Sequence, residues 1–148
     1  MRPVDQTKFG PEEGNCFTAC VASILELTIE EVTFTGAAPT WREDFDAWCF
    51  SRKLQVCGRG PGKPPTGYAI ACGPSPRFSS CGHAVVVLDG ELVHDPHPDR
   101  TGIPEVWEYF TIRPIESESP YFHRQLEAIR EQLDAEYSYA DLLKRLCL

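Results

Sequence analysis

Cys16, His83 and Asp95 are the residues whose types and order could do chemistry. Cys16 follows Gly14-Asn15 and opens an apolar run, Phe17 to Leu25, with few breakers. Gly14 and Asn15 suit a loop or an N-cap. Ala19, Ala22, Ile24 and Leu25 suit a helix packed in a core. The sequence therefore predicts Cys16 on the first turn of a buried helix. There the unpaired N–H groups and the helix dipole are expected to lower the thiol pKa. A thiolate so placed is a nucleophile once a histidine reaches it; without one it is a small buried hydrophobe. His83 opens the β-branched run Ala84 to Leu88, Asp89-Gly90 is a hairpin turn signal, and a second short strand ends at His94-Asp95-Pro96. A thiolate attacks, an imidazole takes and returns the proton, and a carboxylate orients the imidazole.

A plain two-residue turn at Asp89-Gly90 pairs Leu88 with Glu91 and Ala84 with Asp95. That register puts Asp95 and His83 on opposite faces of the hairpin and makes His94 the same-face neighbour of His83. A triad through Asp95 thus requires a bulge, a three-residue loop, or a chain that bends back beyond the strand end.

The residues Asn15-Cys16 with Ala19-Cys20, Gly82-His83-Ala84-Val85 and His94-Asp95-Pro96 resemble the papain-like cysteine peptidase superfamily. The likeness is to its small bacterial and phage branches, the C39-like peptidases and papain-like toxin hydrolases, and covers roughly residues 4–107. It implies an α+β fold whose N-terminal helix carries Cys16 and packs on an antiparallel sheet carrying His83 and Asp95. It also implies hydrolysis of an amide-type bond, with Cys16 as nucleophile, His83 as base then acid, and Asp95 orienting His83. In that family a glutamine shortly before the cysteine donates to the oxyanion. Gln6 is the residue available here, at a spacing longer than the family's usual one. Asn15 and Gly82, beside the nucleophile and the histidine, and Arg77, on the loop leading into His83, are expected to contact substrate.

Composition bounds the rest. The chain of 148 residues has the size of one domain with one core, and its net charge of −8 argues against nucleic acid as the main partner. No apolar run reaches the ~18–20 residues of a membrane span, and Met1 to Gln6 does not read as a signal peptide. Seven cysteines at irregular spacing do not form a disulfide framework and fit a reducing, cytoplasmic setting. No cofactor and no metal is expected.

Further along, Thr28-Ile29-Glu30-Glu31 and Thr40-Trp41-Arg42-Glu43 have capping-box spacing. The second starts a helix, Trp41 to about Lys53, with Trp41, Phe45, Trp48 and Cys49 as its core stripe. Strands are predicted over Leu54 to Cys57, Gly67 to Gly73, the hairpin 83–95 and Glu105 to Ile112. Cys20, four residues after Cys16 on the same face, reads as core, with a regulatory disulfide to Cys16 as its sharper reading. The chain divides into a hydrolase domain, 1–115, and a helical extension, 116–148. Ser119-Pro120 starts the extension, and Phe122, Leu126, Ile129 and Leu133 form an apolar stripe that packs on its own domain, a twin chain or a partner protein.

The expected function is a cysteine-dependent hydrolase acting on a protein or peptide at a peptide, isopeptide or side-chain amide bond. Two other classes compete. One is a zinc site built from Cys81, His83, His94 and His97, which lacks the tight paired spacings zinc usually shows. The other is a non-catalytic protein-binding module with an unreactive Cys16.

Overall fold

The computed structural model describes residues 1–116 and, beyond them, positions 120, 123–124, 127–128 and 131. It is α+β. Helix α1 spans Cys16–Leu25, a one-turn 3-10 helix follows at Ile29–Glu31, and α2 spans Trp41–Ser51. Five strands follow: β1 Leu54–Arg59, β2 Tyr68–Pro74, β3 Gly82–Leu88, β4 Glu91–His94 and β5 Glu108–Pro114. They form one sheet in the order β1-β5-β2-β3-β4, with β2/β3, β2/β5 and β3/β4 antiparallel.

Strand parity explains how the sheet is covered. Ile70, Ala84, Val86 and Phe110 face α1 and α2 and close a core with Phe17, Val21, Phe34, Phe45 and Trp48. Ala69, Ala71, Val85, Val87 and Tyr109 point to the other face, where Ile103 and Val106 cover them. The α2 stripe is core as read: Phe45, Trp48 and Cys49 are buried, and Trp41 packs against them. The Thr28 capping box is present. The expected one at Thr40 is not; Thr40 Oγ1 donates to Asp44 instead, at 2.8 Å. The last strand begins at Glu108 rather than Glu105. The segment 105–107 instead crosses over β2, close enough that a Cβ on Gly73 would lie 1.9 Å from the Glu105 carbonyl oxygen.

The hairpin turn is as its sequence implies, with Asp89 at φ 52° and Gly90 at φ 94°. Its register contains the required irregularity. Leu88 faces Glu91 and Val87 faces Leu92, but Val86 faces His94, so Val93 is the extra residue of a bulge. One step further along, Asp95 falls opposite Val85, on the face that His83 shares.

Met1–Arg113 forms one compact unit, and a second begins at Pro114. In the second, Pro120, His123, Arg124, Glu127, Ala128 and Glu131 are helical and exposed, one face at helical spacing. The predicted apolar stripe of Phe122, Leu126, Ile129 and Leu133, its Ser119 cap, the later short helix and Cys147 lie outside the described residues. Among the described residues no helix is long and apolar enough to cross a membrane.

Candidate active site

Cys16 stands at the N-terminal end of α1 and His83 at the start of β3, and both line the same cavity of about 410 Å³. The Cys16 thiol reaches the backbone N–H of Ala84, the residue after His83. His83 is buried, and its Nε2 hydrogen-bonds Asp95 Oδ1 at 2.7 Å. Asp95 lies just past the end of β4, where the bulge at Val93 delivers it. Its carboxylate, 2% exposed, also accepts the N–H of His97 on Oδ1 at 2.8 Å and the N–H of Gly102 on Oδ2 at 2.7 Å. Burial pushes its pKa up, but His83 and these two N–H groups outweigh burial and hold it below the ordinary carboxylate value. An ionised Asp95 fixes the proton of His83 on Nε2 and leaves Nδ1 as an acceptor.

The electrostatics of Cys16 correct the expectation drawn from its helix position. Burial pushes the thiol pKa up; the N–H groups of Ala84, Phe17 and Cys16 itself pull it down without overcoming that. Burial likewise lowers His83, against the raising effect of Asp95. Both shifts favour a neutral thiol beside a neutral imidazole over a thiolate–imidazolium pair.

Gln6 returns to the site despite its distance in sequence. Residues 9–14 form a loop closed on itself, with Gly14 N–H donating to Gly10 O at 3.0 Å and Asn15 N–H to Lys8 O at 3.4 Å. Lys8 therefore lies against Asn15, and the loop between them contributes Gly10, Pro11 and Gly14 to the wall of the larger cavity. Gln6 is buried; its N–H donates to Pro96 O at 3.0 Å and its Nε2 to Lys8 O at 2.8 Å, while Oε1 has no partner. Together with Cys16 and His83 it lines a second, small cavity of about 30 Å³.

Asn15 is a fastener rather than an N-cap. Its side chain makes no cap bond to α1, and its Oδ1 accepts the N–H groups of Thr7 at 3.0 Å and Lys8 at 2.9 Å, so it pins the arm that carries Gln6. Arg77 lines the small cavity, but its Nη1 is engaged by Asp99 Oδ1 at 2.7 Å and Thr101 Oγ1 at 2.6 Å. It thereby holds the loop after β4. Gly82 lines both cavities. Cys20 is fully buried and free.

The larger cavity is lined by Gly36, Ala37 and Gly73 and by the rings of Phe17, Trp41 and Trp107. Arg42 and Glu108 pair on its wall, Nη1 to Oε1 at 3.0 Å. Exposed Phe9 and Phe78 border the small cavity, and Trp107, 49% exposed, borders the large one. Large exposed rings around a cleft are the kind of apolar surface that marks a binding site.

Of the four residues of the zinc reading, Cys81, His83 and His97 line the small cavity, but His94 does not join them. Its Nε2 bonds Val4 O at 2.9 Å, and among the described residues no group of three or more His, Cys, Asp or Glu is placed to hold a metal. The bulge explains why: it trades His94 for Asp95 as the neighbour of His83. In the sequence His97 stands out only in the zinc reading, and Asp99 and Arg100 do not stand out as parts of the site. Arg100 bonds the Asp95 carbonyl and the Asp5 carboxylate and so ties the arm to the loop. The Asp95-Pro96-His97-Pro98-Asp99 run, dense in turn and titratable residues, was the available signal. No protein-family model, curated protein or solved structure matches the chain.

Proposed function

We propose that this chain is a cysteine-dependent hydrolase of amide-type bonds in proteins or peptides, of the papain-like kind. The observation that carries the reading is the Nε2 bond from His83 to Asp95, on a ring that shares a cavity wall with Cys16. In that tautomer Nδ1 receives the thiol proton. Cys16 sulfur attacks the carbonyl carbon as its proton passes to His83, and the oxyanion is met by the Cys16 N–H and by the amide hydrogen of Gln6 that Lys8 does not use. The C–N bond then breaks as His83 protonates the departing nitrogen, and the acyl group remains on Cys16 as a thioester that water hydrolyses. Because the resting pair is neutral, proton transfer accompanies attack instead of preceding it. Peptide, isopeptide and side-chain amide bonds all fit this sequence of steps.

Incubation with an activated acyl ester such as p-nitrophenyl acetate, followed by mass spectrometry, tests the proposal. One acyl adduct is expected on Cys16, absent in Cys16→Ala and slowed about 100-fold in His83→Ala. Adducts only on Cys57 or Cys81, or a Cys16 adduct indifferent to His83→Ala, would instead support the non-catalytic binding module.

A further inference from the structure

We propose that the site acts on polypeptide segments that are apolar on both sides of the scissile bond. An aromatic side chain of the acyl portion enters the larger cavity, and the leaving portion lies on Phe9 and Phe78. The inference rests on the thiol-hydrolase reading above and names its substrate class.

The two cavities form one cleft. Cys16, Gly82 and His83 line both, so substrate extends to either side of the reacting pair. Ligand clefts hold roughly 300–1,000 Å³; at about 410 Å³ the larger cavity takes an aromatic side chain and the backbone beside it. A single water needs roughly 10–15 Å³; at about 30 Å³ the smaller one takes no side chain, so the leaving portion crosses the rings that border it.

Exposed rings from three separate segments converge on this cleft. Among the described residues six large apolar side chains are exposed, and half of them belong to its lining: Phe9 from the loop 9–14, Phe78 from the turn 75–81 and Trp107 from the crossover 105–107. Two of the three are held in place. Phe9 stands edge-on to His97 with centroids 5.3 Å apart, and Trp107 Nε1 donates to Glu105 Oε1 at 3.0 Å. Rings fixed in this way offer faces and edges to an apolar or aromatic partner.

The cleft also offers no free charge. Apart from its histidines, the ionisable nitrogen and carboxylate groups in its lining belong to Arg42, Glu108 and Arg77. Arg42 pairs with Glu108, and Arg77 with Asp99 at 2.7 Å. Arg42 is held a second time, over the Trp41 ring at 4.7 Å. A charged substrate side chain would leave water here and find no partner, which is unfavourable, whereas an apolar one gains from the same transfer. The net charge of −8 therefore does not make this a site for basic segments.

The test uses the full-length protein and reads p-nitrophenol release from the p-nitrophenyl esters of N-acetyl-L-phenylalanine and Nα-acetyl-L-lysine, above the Cys16→Ala background. kcat/KM should be about 100-fold higher for the phenylalanine ester. Trp107→Ala should lower that ratio about tenfold. Tyr68→Ala, which removes an exposed ring outside both cavities, should leave the ratio unchanged. On the leaving side, phenylalaninamide and argininamide compete with water for the acetyl–Cys16 thioester. The amine nitrogen bonds to the acyl carbon, the C–S bond breaks, and the amine proton returns to sulfur. Phenylalaninamide should capture about tenfold more acetyl group than argininamide, and Phe78→Ala should erase that preference. A wild-type ester ratio near one or in favour of lysine, a ratio that Trp107→Ala does not move, or equal capture of the two amides overturns the apolar specificity while leaving Cys16 and His83 in place. Failure of wild type to acylate Cys16 with either ester overturns the hydrolase reading and this inference together.

Discussion

At the scale of the residue, Asp95 carries the most consequence for its size. It accepts three hydrogen bonds while almost wholly buried, so Asp95→Ala would strand the N–H groups of His97 and Gly102 and release His83. Each stranded buried donor costs about 1–3 kcal/mol. Urea denaturation should show a loss of about 3 kcal/mol, and acylation of Cys16 should slow about 100-fold. Asp95→Asn keeps an acceptor for His83 and should retain more of both. That Cys16, His83 and Asp95 come together was legible because chain order and neighbouring patterns place a thiol, an imidazole and a carboxylate at a helix start, a strand start and a strand end. The ionisation of Cys16 was not. A helix start predicts a lowered thiol pKa, but how deeply the sulfur is desolvated depends on β3 crossing above it, and contacts of that range have no local signature. The partners of Arg77 and Asn15, namely Asp99, Thr101, Thr7 and Lys8, were not legible for the same reason, since loop folding chooses them.

At the scale of the element, the bulge at Val93 decides which side chain His83 meets. The sequence pattern required some irregularity but could not choose among a bulge, a longer turn and a bent strand end. Asp89 and Gly90 both adopt positive φ, so the turn stays two residues long and the extra residue falls in β4. Deleting Val93 should remove the bulge while leaving His94 opposite Val86 and Asp95 opposite Val85, on the face of His83. The expected outcome is a folded protein, by circular dichroism, whose Cys16 acylation stays well above the level of Asp95→Ala. A fall to that level would show that the bend of the bulge, and not the parity it sets, brings Asp95 to His83. The helices and strands were legible from periodicity to within a few residues. The exception is Glu105 to Trp107, whose alternation reads as strand. There the chain leaves the sheet to cross Gly73, a close approach that only a residue without Cβ permits.

At the scale of the whole molecule, stability should show a plateau bounded by groups on both sides. The His83 pKa is lowered on folding, so its contribution is lost as pH falls below the ordinary 6.5 and through the lower folded value. Asp95 is also lowered, and its contribution is lost as pH falls from 3.8. Cys16, Cys20, Cys49 and Cys72 are raised by burial, Cys49 to about 12, so stability is lost as pH climbs above their ordinary 9.0. Melting temperatures should therefore be flat between about pH 6.5 and 9 and fall on either side. His83→Ala should remove the first acid-side decline, the one that sets in below pH 6.5, and a variant that keeps it would locate that decline elsewhere. The most direct test of the central claim is a crystal structure of the protein after treatment with one equivalent of iodoacetamide. The account predicts a single carboxamidomethyl group on Cys16 Sγ, lying in the larger cavity, with His83 Nδ1 within about 4 Å of the sulfur and Nε2 still on Asp95. A label on another cysteine with Cys16 untouched, or an imidazole more than about 6 Å from the sulfur, would contradict it.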